Sequence, residues 1–237
     1  MSYEKIVNYY DYIFPLNQVT LRFLESSFPA GSRILDVGCG SGEYAVGLAD
    51  SGFQVYGLDL DSDMITKAKA KSQNLKIEFT VGSMTQLTAY YENEHFSGIF
   101  CIGNSLAHVA DHKQLIDVCS QFYNLLANDG RLVLQIINYD RIINKKLPGL
   151  PTIENSEHGV RFERYYEFEL PKIKFKTILH ADGKSESSEV LLYAVCHDEL
   201  IQALSETGFT DIETYGNFAL NPFNLAESQP LIIRCRK

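Results

Sequence analysis

The chain can be ordered around one stretch, Asp36-Val-Gly-Cys-Gly-Ser-Gly42. Before it stands a short apolar run, Arg33-Ile-Leu-Asp-Val37, and after it Glu43 opens a segment of helical spacing that Gly52 stops. The alternate glycines supply the positive φ angles of a tight turn and leave no side chains between the backbone and a ligand. The spacing predicts strand, turn and helix, with a binding crevice at the carboxyl end of the strand.

Working outward, the unit repeats with variations. Strands are predicted over 55–59, 77–81, 96–102 and 130–136, and helices over 62–72 (capped by Asp61 or Ser62) and 113–126. Strands alternating with helices at this spacing imply a parallel sheet covered on both faces. After Tyr139 the rhythm breaks. Two-residue alternation over 161–169, 172–180 and 186–195 predicts a small three-stranded antiparallel sheet, inserted before a helix at 197–207 and two last core strands at 211–215 and 231–235. Upstream, aromatic and aliphatic positions interrupted by Pro15 predict two short helices. The expected organisation is a helical cover (1–30), a core domain (31–143 and 196–237) and an inserted antiparallel β lid over an acceptor site (144–195).

Composition narrows the function classes. At 237 residues the chain is long enough for a core without metal or disulfide staples, and its net charge of −9 works against a surface that tracks nucleic-acid phosphates. The five cysteines are scattered, with no C-x-x-C pair for a structural zinc, and read as reduced thiols of a cytoplasmic protein. Neither the Met1-Ser-Tyr-Glu-Lys-Ile start nor any apolar run predicts export or a membrane span, so no membrane partner is expected.

The glycine spacing narrows the ligand. A dinucleotide turn reads G-x-G-x-x-G, whereas here the third glycine comes one residue early, which counts against a nicotinamide oxidoreductase. Asp36, two residues ahead of Gly38, suits a ligand with an ammonium group. Asp59 ends the second strand about twenty residues beyond the glycines, where a carboxylate accepts from both ribose hydroxyls. Leu58 and Leu60 would flank the sugar and base.

Ile34-Leu-Asp-Val-Gly-Cys-Gly-Ser-Gly42, with Val55-Tyr-Gly-Leu-Asp-Leu-Asp-Ser-Asp-Met64, resembles the first two motifs of class I S-adenosylmethionine-dependent methyltransferases, over residues 30–138. The resemblance implies a Rossmann-like, doubly wound, mostly parallel seven-stranded α/β sheet and S-adenosyl-L-methionine as cofactor. It also implies that Gly38, Gly40 and Gly42 lie under the methionine part, that Asp59 holds the ribose and that Val81-Gly-Ser-Met84 brackets the adenine. Ser83 stands where the family often has Asp. Tyr10, Asp36, Cys39, Leu60, Met84 and Ile102 complete the expected cofactor-binding set.

The exit of the fourth strand, Phe100-Cys-Ile-Gly-Asn-Ser-Leu-Ala-His-Val109, is where class I enzymes place the acceptor. It lacks the Asn/Asp-Pro-Pro-Tyr word of base-methylating enzymes and the carboxylate set of a metal-bound catechol site, so metal-free transfer to a small molecule is expected. Gly103-Asn-Ser-Leu-Ala-His108 and Asn138-Tyr-Asp140 are similar to the glycine N-methyltransferase branch, which also carries a three-stranded insertion. Ile137 stands where that branch grips its substrate carboxylate with Arg, which counts against glycine itself. Asn104, His108 and Tyr139 are the candidate catalytic residues. Asn104 and Ser105 have a second reading as helix caps, His108 as a surface helix residue, and Tyr10 and Tyr12 as packing aromatics rather than gates. Tyr165, Tyr166 and Tyr193 are candidates for an aromatic wall in the inserted sheet. An amine is the first acceptor class expected, followed by an O- or C-acceptor, and last a cofactor-binding protein without turnover.

Overall fold

The computed structural model describes residues 6–92 and 95–237; residues 1–5 of the expected cover, including the Met1-Ser-Tyr-Glu-Lys start, lie outside them. Two sheets organise the described residues. The first has seven strands in the order β10-β11-β5-β4-β1-β2-β3. β1 (Arg33–Val37), β2 (Gln54–Asp59), β3 (Glu78–Val81), β4 (Phe96–Cys101) and β5 (Leu126–Ile137) run parallel; β11 (Pro230–Arg236) is antiparallel to β5, and β10 (Thr210–Tyr215), antiparallel to β11, closes the edge.

Alternation along the strands explains why both faces are covered. Ile34, Val55, Phe100 and Val133 pack under α2 (Gln18–Ser27), α3 (Glu43–Asp50) and α4 (Ser62–Lys71). Their neighbours Leu35, Leu58, Ile99 and Leu132 pack on the other side against α5 (Leu87–Tyr90), α6 (His112–Leu125) and α8 (His197–Thr207). Asp61 caps α4 by accepting from the Asp63 and Met64 amides at 2.9 and 3.3 Å, settling the choice between the two cap candidates. No helix among the described residues is long and apolar enough to cross a membrane.

Gly42 shows how tightly the turn is built in. Its φ is +80°, and a Cβ there would lie 2.9 Å from Ala68 Cβ and 3.0 Å from Phe79 Cζ. Gly42→Ala is therefore expected to lose about 2 to 4 kcal/mol of stability, from left-handed strain plus overpacking. A urea melt checks this as a lower midpoint at unchanged slope.

Two elements depart from the sequence expectation. The inserted sheet has four strands, not three, in the order β6-β7-β8-β9. β7 (Val160–Glu169), β8 (Lys172–Ala181) and β9 (Lys184–Tyr193) follow the predicted stretches, but β6 (Gly149–Asn155) was not expected. It is an edge strand carrying Pro151, with a register shift between Leu150 and Ile153, so it shows no clean two-residue alternation. A short helix, α7 (Tyr139–Asn144), also follows β5, capped by Asn138 Oδ1 accepting from the Arg141 amide at 3.1 Å.

The cover is fastened to both sheets. Ile6, Val7 and Ile13, the last in α1 (Tyr10–Ile13), pack with Met64 of α4 and with Val160, Phe162 and Leu179 of the inserted sheet. Asp11 receives Lys67 at 2.9 Å, Lys71 at 2.8 Å and the Ser41 hydroxyl at 2.5 Å. Burial would raise the Asp11 pKa, but bonds from Lys71, Ser41 and Lys67 outweigh it and hold the carboxyl below its ordinary value. Tyr12, a candidate gate, instead stacks on His158 with centroids 3.8 Å apart.

Candidate active site

Strand order reverses between β1 and β4, and such a switch point opens a crevice at the carboxyl ends of the strands. The glycine turn fills one side of it. Gly38, Gly40 and Gly42 all have positive φ. The Gly38 and Cys39 amides both donate to Leu58 O, at 2.7 and 3.0 Å, and the Gly40 amide donates to Asp59 Oδ2 at 2.7 Å. Asp59 Oδ1 accepts from the Asp61 amide at 2.9 Å. The Asp59 carboxylate is thus oriented by two backbone donors, with further lone pairs available to a ligand.

Two adjoining cavities occupy the crevice. The smaller, about 350 Å³, is walled by Asp59, Leu58, Leu60, Met64, Ser83 and Met84. The larger, about 490 Å³, runs from Asp36, Cys39, Ile102 and Asn104 to the inner face of the inserted sheet. Tyr10, Gly38, Gly103 and His108 line both and mark where they meet. A Cβ on Gly40 would lie 3.2 Å from the Tyr10 hydroxyl, which places Tyr10 over the turn.

The electrostatics are unusual for a buried site. Asp36 is only 3 % exposed, and no described residue hydrogen-bonds or ion-pairs with its carboxylate. Burial, followed by repulsion from Asp59, holds its pKa well above the ordinary carboxylate range. Asp59 is raised too, chiefly by burial, with its backbone donors pulling the other way. A buried carboxylate and a half-buried one beside a cavity suit a cationic ligand, and the walls of the smaller cavity suit a nucleoside. The residues present fit S-adenosylmethionine.

Of the expected cofactor set, Tyr10, Asp36, Gly38, Cys39, Gly40, Asp59, Leu60, Ser83, Met84 and Ile102 line one cavity or both. Gly42 lines neither and serves the packing of α3 against α4 and β3. Among the candidate catalytic residues, Asn104 sits at φ +69° and makes no side-chain cap. Its Nδ2 donates to the Tyr139 hydroxyl at 2.9 Å, and its Oδ1 accepts from the Ile137 amide at 3.0 Å. Ser105 Oγ donates to Ile102 O at 3.0 Å. His108 faces the cavity junction rather than the surface, and burial lowers its pKa, favouring the neutral imidazole. Tyr139 is fully buried and does not line the larger cavity; its hydroxyl accepts from Asn104.

The aromatic wall differs from the one expected. Tyr165 points outward, Tyr166 is buried where the inserted sheet packs on α7, and Tyr193 donates to Glu199 at 2.5 Å. Phe162 and Phe175 supply the wall instead. Gln135 and Arg164 also line the larger cavity and escaped the sequence reading. Their signal was polarity out of pattern: Gln135 interrupts the apolar run of β5, and Arg164 shares strand parity with Phe162 and Tyr166.

Comparison with known proteins agrees with this geometry. A family model described as a methyltransferase domain matches residues 34–130. A protein of Geobacillus sp. (strain WCH70) named as a methyltransferase is 31% identical over 224 residues, covering 91% of this chain and 89% of that one. A glycine/sarcosine N-methyltransferase of Aphanothece halophytica is 27% identical over 192 residues, 78% of this chain and 69% of the other. The crystal structure of an S-adenosylmethionine-dependent methyltransferase from Clostridium acetobutylicum ATCC 824 shares the fold, with a TM-score of 0.82 over 99% of this chain and 98% of that one at 18% identity. With the glycine turn, Asp59 and the buried Asp36 arranged as they are, the chain belongs to the class I S-adenosylmethionine-dependent methyltransferases.

Proposed function

We propose that this methyltransferase acts on a small-molecule amine in the cytoplasm, with the inserted sheet as a lid over the acceptor. The observation that carries the reading is the meeting of the two cavities at Tyr10, Gly38, Gly103 and His108, with Asn104 just beyond. The cofactor supplies a methyl group on a sulfonium, already activated for in-line displacement. The residues then need to align the acceptor and exclude water.

Asn104 is suited to alignment because Tyr139 and the Ile137 amide hold its carboxamide in one orientation. One Nδ2 hydrogen remains for an acceptor, since Oδ1 already receives the Ile137 amide and, at 3.4 Å, the Tyr139 hydroxyl. An amine acceptor would have to arrive neutral and, once methylated, would be an ammonium with a proton to shed. His108, kept neutral by burial, stands at the junction to take it. The similarity to a glycine/sarcosine N-methyltransferase favours nitrogen as the acceptor atom. The free cysteines, four of them buried, support a reducing compartment.

The test is S-adenosylhomocysteine formation across primary and secondary amines, amino acids, phenols and small acids. Turnover on amines, reduced by about tenfold or more in Asn104→Ala through loss of alignment, is the expected result. Turnover confined to hydroxyl or carbon acceptors would reject the amine reading, and cofactor binding with no product on any acceptor would reject turnover on these classes.

A further inference from the structure

The far wall of the larger cavity carries a charge with no counter-charge. Strand register sets Arg164, Thr177 and Ser188 side by side across β7, β8 and β9, and all three line the cavity. Along the same face the flanking residues are apolar: Phe162, Phe175, Val190 and Leu192. Arg164 Nη2 donates to Pro151 O at 2.5 Å, but its Nε is buried without a hydrogen-bond partner. No described carboxylate pairs with it. Arg161, on the outer face of the same strand, shows the contrast, pairing with Glu154 at 3.3 Å and Glu163 at 2.7 Å. Burying a guanidinium among apolar side chains with donors unspent is costly unless a ligand completes its bonds.

We propose that Arg164 is the anion anchor of the acceptor pocket, and that the acceptor is a small carboxylic acid with an apolar body, its carboxylate held by Arg164, Thr177 and Ser188. The proposal rests on the amine reading above and deepens it: the acid's far end presents its nitrogen towards Asn104 and His108. A planar guanidinium fork matches a carboxylate in two parallel bonds. A phosphate dianion is disfavoured because Arg164 is the one Arg or Lys among the described residues lining this cavity, whose other ionisable groups include Asp36, Glu43 and Glu189. The surrounding Phe162, Phe175, Val190 and Leu192 call for more carbon than glycine has. Ile137 lines the same cavity and adds no charge to it.

The test is calorimetric binding to protein saturated with S-adenosylhomocysteine, which does not depend on turnover. The probes are acetate, butanoate, hexanoate and phenylacetate, their amides, and phenyl phosphate. The larger acids should bind at least about tenfold tighter than their amides, as charge-assisted bonds require. Arg164→Met should erase that preference, Arg164→Lys should keep part of it, and both should retain S-adenosylhomocysteine affinity, which reports an intact fold. Equal affinity of acid and amide, no binding of any acid, or a preference that survives Arg164→Met would overturn the proposal. Tighter binding of phenyl phosphate than phenylacetate would overturn the carboxylate assignment. Acid preference without turnover on amino acids would count against the amine reading alone, whereas amine turnover without acid preference would count against Arg164 alone.

Discussion

Asp59→Ala is expected to weaken S-adenosylmethionine binding by about two to three orders of magnitude while leaving the fold intact. The proposed ribose contact consists of two hydroxyl groups donating to one ionised carboxylate, and such bonds contribute about 1.5 to 3 kcal/mol each. The substitution also deprives the Gly40 and Asp61 amides of their acceptor, which loosens the turn. Against that loss stands a gain, since Asp59 is a half-buried carboxylate that repels Asp36. The empty variant should therefore melt close to the parent. Titration calorimetry with circular dichroism checks both halves, and unchanged affinity would place the ribose elsewhere. Asp59→Asn, keeping one acceptor oxygen, should fall between.

Asp36→Asn is expected to separate stability from binding. In the empty protein Asp36 is held well above its ordinary pKa by burial and then by Asp59. A folded-state pKa above the unfolded value means that the native chain binds the extra proton. The associated stability is fully present below the unfolded carboxylate range and is lost as pH rises through the raised value. Asn cannot ionise, so the variant should melt higher than the parent at and above neutral pH and match it in acid. Cofactor affinity should move oppositely. The ionised carboxylate attracts the cationic methionine end, so parent affinity should rise with pH, with a proton released on binding that shows as a buffer-dependent calorimetric heat. Asp36→Asn should abolish that dependence and weaken binding by about 3 kcal/mol, the order expected when a buried pair loses one partner. A variant with parental affinity and pH profile would remove Asp36 from the cofactor site.

The two carboxylates were legible in sequence because local rules place them. Asp36 precedes a glycine turn that follows an apolar run, and Asp59 ends the next strand, so strand parity and turn chemistry suffice. Tyr139 shows the limit. Its position just past β5 was readable, but whether it faced the acceptor depended on α7, a helix of six residues whose only sequence signal was the Asn138 cap. Tyr12 similarly had the composition of a gate, yet the docking of the inserted sheet gave it His158 to stack on. The third glycine of the turn lines neither cavity, and the packing it permits could not be read locally, because its neighbours Ala68 and Phe79 come from other parts of the chain.

Periodic burial and glycine stops are properties of contiguous residues, so the sequence alone determined the strand and helix succession, the doubly wound core and the identity of the cofactor turn. The larger cavity, proposed to take the acceptor, is assembled from α1, the exit of β4, β5 and the inner face of an inserted sheet. Which side chains meet there depends on the pairing of β7, β8 and β9 and on how that sheet packs over the cover. Only the tertiary structure brought Arg164, without a counter-charge, into the same cavity as Asn104 and His108, because side-chain neutralisation is settled by contacts between segments distant along the chain.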